Sequence, residues 1–120
     1  MTGREEVRER LDRFWLEADR EAEGRKDSQY ALDRLTAALK DLKGQEREIA
    51  ETLVSEWVLS GEPRRQFDAL AVIERLLLTS AAPALRDLAD QLTRSNEPGA
   101  PYDLAWVNRI LAKLGATSER

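Results

Sequence analysis

The sequence predicts an all-α fold of about six amphipathic helices, stacked as helical hairpins in a short repeat or bundle. Three observations predict it. Apolar residues recur at three- and four-residue steps through almost the whole chain, which lines them along one side of a helix turning about 100° per residue. Glycines and prolines fall where these stretches begin or end. The chain has 120 residues, 42% hydrophobic and 35% charged, which suits one domain with a continuous core under a charged surface.

The first helix is expected over residues 5 to about 22, with Val7, Leu11, Phe14, Trp15, Ala18 and Ala22 on one face. On its other face Glu6 with Arg10 and Glu9 with Arg13 are acid-first pairs at four-residue spacing. Gly24 is expected to end this helix, and Asp27 or Ser28 to cap a second that runs to about residue 43 and buries Ala31, Leu35, Ala38, Leu39 and Leu42. Gly44 breaks the chain before a third helix, in which Ile49, Ala50, Leu53, Val54, Trp57 and Val58 share one face. Gly61 fits the residue just past a helix end, and Pro63 the first turn of the next helix, where its missing N–H is harmless. That fourth helix, 63 to about 78, is apolar almost all round. Only Arg64, Asp68 and Arg75 form a narrow polar strip, so it is expected to be the most buried. Thr79 or Ser80 is placed to cap a fifth helix, with Pro83 in its first turn and Leu85, Leu88, Ala89 and Leu92 on its face. Arg94-Ser95-Asn96-Glu97-Pro98-Gly99-Ala100 reads as a loop, Pro101 opens a sixth helix ending at Gly115, and residues 116–120 are expected to fray.

Superimposing the chain on itself at an offset of 35 pairs Phe67-Asp68 with Tyr102-Asp103, Val72 and Leu76 with Val107 and Leu111, and Pro63 with Pro98. Two hairpins, about 45–79 and 80–115, then look like copies of one unit. The stretches Ala82-Pro83-Ala84-Leu85-Arg86-Asp87-Leu88 and Arg65-Gln66-Phe67-Asp68-Ala69-Leu70 resemble the first and second helices of a HEAT-like repeat. In the second unit Pro101-Tyr102-Asp103 stands where that Arg would be. The resemblance covers about residues 45–115 and implies a binding scaffold that presents a helix face to another macromolecule. Residues 1–44 would then be an N-terminal hairpin that caps the stack.

Composition narrows the chemistry. Histidine and cysteine are both absent, which removes Ser-His and Cys-His nucleophile pairs, histidine acid–base work, disulfides and the common zinc sites. No cofactor is expected. The net charge of −4, from 19 basic and 23 acidic residues, offers a phosphate backbone no general attraction, so nucleic acid is not expected as a partner. No apolar run approaches the roughly 18 residues of a membrane span. The charged start, Met1-Thr2-Gly3-Arg4-Glu5-Glu6, differs from a signal peptide, so a cytoplasmic protein is expected.

Two acidic pairs at three-residue spacing, Glu48 with Glu51 and Asp87 with Asp90, could in principle hold magnesium between facing helices, as all-helical nucleotide pyrophosphatases do. On their wheels the four lie away from the core stripes, which makes them a solvated face. Arg64-Arg65 and Arg25-Lys26 are too short for nucleic-acid patches and read as surface charge. Trp15 and Trp57 sit on core stripes as packing residues. On the sixth helix Leu104, Val107, Ile110, Leu111 and Leu114 supply the core face, leaving Tyr102, Trp106, Arg109 and Lys113 as a second stripe at helical spacing. Aromatics interleaved with cations favour an interface centre, so these four are the candidate binding residues. Packing on the fifth helix or the tail, or a dimer contact, is the alternative use of the stripe.

The expected function is therefore non-enzymatic: a module that binds a protein partner through its last hairpin, as a monomer or homodimer, away from membranes. A bacterial immunity or antitoxin-like inhibitor is a specific version, and fifteen Arg against four Lys point to a GC-rich bacterial gene. The alternatives are a carboxylate- and magnesium-dependent hydrolase, and a structural oligomer paired through an exposed Val7/Leu11/Phe14/Ala18 seam.

Overall fold

The computed structural model describes residues 3–25 and 28–118. Among them the chain forms α1 (Arg4–Arg25), α2 (Ser28–Asp41), α3 (Gly44–Val58), α4 (Pro63–Leu76), a 3-10 turn (Thr79–Ala81), α5 (Ala82–Arg94) and α6 (Ala100–Ser118), with no strand. The all-α class follows. The chain packs as two compact units, Met1–Leu53 and Val54–Arg120, with the boundary falling inside α3.

In the first unit α1 and α2 pack along each other, and so short a connection makes the pair antiparallel. Val7, Leu11, Trp15 and Ala18 on α1 and Leu32, Leu35 and Leu39 on α2 are buried, as are Ala50 and Leu53 on α3. The three- and four-residue spacing of these positions is the reason the segments are helical and amphipathic. Polar ties lie at the rim. The Tyr30 hydroxyl donates to Glu21, and Arg34 Nη1 donates to the Tyr30 hydroxyl at 3.0 Å while its guanidinium lies over the Phe14 ring. Gly44, with φ +59°, turns the chain into α3 in the left-handed conformation that favours glycine. Arg47 then closes the corner, its Nη1 donating to the Leu39 carbonyl near the end of α2 and its Nε to Glu51, both at 2.8 Å. The open carbonyls of a helix C-terminus are natural acceptors for such a cation.

In the second unit, the end of α3 is tied down by Gln66 Nε2, which donates to the Val58 carbonyl at 2.7 Å. Gly61, with φ +80°, reverses the chain, and Pro63 sits in the first turn of α4 as its sequence position requires. Trp57 is 4% exposed and has the Arg65 guanidinium over its ring, 5.2 Å from the centroid. Residues 68–73 of α4 are buried without interruption. Leu77 ends α4 in the left-handed region, φ 54°, with its N–H and that of Leu78 both donating to the Ile73 carbonyl. The 3-10 turn and the α5–α6 hairpin complete the unit around Leu85, Leu88, Val107, Ile110 and Leu114.

Several expectations are corrected in detail. Asp68 belongs to the proposed polar strip of α4 yet is 7% exposed, because it opens the run of residues 68–73 that is buried throughout, and of the strip Arg64 and Arg75 near the ends of the helix are exposed. Thr79 and Ser80 do not cap α5. They form the 3-10 turn, and α5 starts after Ala81 without a side-chain cap bond, a small loss where Pro83 has already removed one donor. α1 runs through Gly24 to Arg25 and α6 past Gly115 to Ser118, because a glycine inside a helix costs only about 1 kcal/mol and need not end it, while α2 stops at Asp41, two residues before the expected end. Arg10 reaches Glu46 at 3.0 Å, a tertiary partner in place of Glu6. Residues 26, 27, 119 and 120, and the side chains of Ala22, Arg25, Ser28, Ala31 and 116–118, lie outside the described residues, and with them the expected cap at Asp27 or Ser28, the Arg25-Lys26 pair and part of the expected fraying.

Candidate functional site

The α6 stripe acquires a counterpart on α4. Tyr102, Trp106, Arg109 and Lys113 recur at steps of three and four, so one side of α6 carries all of them. On α4 the same logic aligns Phe67 with Glu74, seven residues later. Where the two helices meet, these rows interlock. The Phe67 and Trp106 rings pack with centroids 5.2 Å apart at a tilt of 50°. Glu74 receives the rest of the stripe: Trp106 Nε1 donates to its Oε1 at 3.2 Å, while Arg109 Nε and Lys113 Nζ donate to its Oε2 at 3.2 and 3.0 Å.

Three donors, two of them cationic, thus converge on one half-buried carboxylate. Burial pushes the Glu74 carboxyl up, but hydrogen bonds from Lys113, Trp106 and Arg109, together with the Arg109 charge, outweigh it and hold the group below its ordinary value of 4.5. Glu74 is therefore ionised at neutral pH and acts as an anchor. It fixes the indole and both cations from below, while the outer surface of the cluster stays open: Tyr102 is 82% exposed, Phe67 53%, and the Arg109 side chain 60%.

The four candidate binding residues are accordingly in two environments. Trp106, Arg109 and Lys113 meet on Glu74 of α4, where the fifth helix was the expected neighbour, and Tyr102 projects into solvent one turn before Trp106, while the side chains of the tail lie outside the described residues. The sequence pairs Phe67 with Tyr102 at the offset of 35 but gives it no binding role, and it leaves Glu74 unmarked, although the same offset sets Glu74 against Arg109.

The acidic pairs do not build a comparable centre. Glu48 is exposed and Glu51 is held by Arg47, while Asp87 and Asp90 are exposed along α5. Among the described residues no group of three or more acidic side chains is gathered as a metal ion would need. The α1 seam is buried at Val7, Leu11 and Ala18 and half-buried at Phe14, beside a cavity of about 170 Å³ lined also by Arg10, Ala38 and Leu42. No described helix is long and apolar enough to cross a membrane.

The chain matches no family model, and no curated protein or solved structure is significantly similar to it.

Proposed function

We propose that this protein is a non-enzymatic interaction module that binds a protein partner through the α4–α6 face around Trp106. The observation that carries it is the pairing of exposed aromatics with side chains already held in place. Phe67 and Tyr102 offer apolar area to a partner, and Arg109 and Trp106 are anchored by Glu74 before any partner arrives. Aromatic and arginine side chains supply most of the binding energy at protein interfaces, and ordering them beforehand removes part of the entropic cost of association. The absence of His and Cys supports a role without Ser-His or Cys-His nucleophile pairs. The equivalence of Phe67 with Tyr102 and Glu74 with Arg109 supports reading the two hairpins as HEAT-like units with their binding face at the joint. A small acidic inhibitor of the immunity or antitoxin kind, working in the cytoplasm, is the specific version of this proposal.

A photo-crosslinking amino acid at position 102 tests it in cells that produce the protein. Position 102 should trap a discrete protein band, and position 90, also exposed but on α5, should not. Equal trapping at both positions, or none at 102, would overturn the assignment of this face.

A further inference from the structure

We infer that the occupant of this face is an acidic segment of a partner protein, whose apolar side chain lies against Phe67, Trp106 and Tyr102 and whose carboxylate is taken by the Arg109 guanidinium. This deepens the interaction reading above and rests on it. The cations of the cluster are the first support. Arg109 and Lys113 both lie on Glu74 with their side chains half in water, on a chain of net charge −4. An acidic segment is repelled by the chain as a whole and attracted here, which confines it to this spot.

The second support is the geometry of Arg109. Its hydrogen bond to Glu74 uses Nε, and its terminal Nη groups form no hydrogen bond among the described residues, on a side chain 60% exposed. Two parallel N–H donors held in one plane match the two oxygens of a carboxylate. Because Glu74 already fixes the Nε edge, the fork is aimed before the partner arrives, and a lysine in its place would not be.

The third support is the proximity of apolar and charged elements. The Phe67 ring packs directly on Trp106, whose N–H shares a carboxylate with Arg109, so the rings and the fork are parts of one cluster. A ligand reaching both needs an apolar side chain within a few residues of an acid. A second copy of this chain fits less well, since the acid this cluster itself would offer, Glu74, is already held by three donors. A nucleic acid fits less well too, because two cations cannot track a phosphate backbone against an overall negative charge.

Selection of a displayed library of random peptides, roughly twelve residues long, against the full chain tests the inference. Enriched peptides should carry Asp or Glu beside a Trp, Phe or Leu. By calorimetry their Kd should rise about tenfold or more with Tyr102→Ala and with Arg109→Gln, and should weaken with added salt. Changing the peptide acid to its amide should cost nothing further once Arg109→Gln is present. Tyr102 is 82% exposed, so its variant leaves the fold intact, and circular dichroism melts verify this for both variants. Peptides that depend on Tyr102 but carry no acid would overturn the acidic partner while leaving the interaction reading standing. Peptides indifferent to both variants, or an empty selection, would overturn both. Concentration-dependent dimerisation abolished by Tyr102→Ala would replace the acidic segment by a second copy, and tight binding of single-stranded DNA lost with Arg109→Gln would replace it by a polyanion.

Discussion

At the scale of the residue, Glu74 concentrates the energetics of the site. Two of its donors sit on cations that are half in water, so the network is worth less than its three hydrogen bonds imply in isolation. Glu74→Gln keeps an acceptor for the indole and removes the charge, and should cost about 1 kcal/mol in urea denaturation at neutral pH. The pH dependence has a fixed sign. A carboxyl lowered in the folded state contributes stability that is fully present above its ordinary value of 4.5 and disappears as pH falls through the lower folded value. The gap between wild type and Glu74→Gln should therefore close as pH falls below 4.5, and a gap that widens there would contradict the ionised anchor. Sequence reading located Tyr102, Trp106, Arg109 and Lys113 because helical periodicity gathers them on one helix. It passed over Glu74 because a wheel describes one helix at a time, and the partner of a stripe lies on another.

At the scale of the element, the periodic stripes were legible and the helix ends less so. Trp57 at the centre of the α3 stripe is buried, and Trp57→Ala should destabilise the fold by about 3 to 5 kcal/mol in urea titration, the usual cost of removing a large enclosed aromatic. Part of that loss comes from Arg65, whose guanidinium would lose the ring it covers. The ends were harder to place because Gly is ambiguous. At Gly44 and Gly61 a positive φ makes it a true boundary, whereas Gly115 continues α6. A Cβ at Gly115 would meet nothing within 4 Å, so Gly115→Ala should stabilise the protein by roughly 0.5 to 1 kcal/mol through the lower entropy of the unfolded chain. A fall in melting temperature for this variant would place Gly115 outside the helix.

At the scale of the whole molecule, composition and connectivity set the behaviour. Without histidine or cysteine, no side chain has an ordinary pKa between about 6 and 8, and no thiol can be oxidised. The melting temperature should stay within about 2 °C across that range and be unmoved by reductant; a steeper dependence would reveal a strongly displaced group. The all-α class was legible in the sequence because every element announces itself by local spacing. Nothing in the sequence marks the division after Leu53, because it falls inside the uninterrupted apolar stripe that runs from Ala50 to Val58 on α3. Periodicity records which face is buried, not against which neighbour.

The unequal setting of the three indoles has an optical consequence. Trp15 and Trp57 are buried, each 4% exposed, whereas Trp106 is half-buried with its N–H on a carboxylate. A small neutral quencher such as acrylamide should reach the last and spare the other two, splitting the emission into an accessible and a protected fraction. The accessible fraction is then a built-in dye at the binding face. It should vanish in Trp106→Phe and become protected when that face is covered, so occupancy can be followed in the unlabelled protein.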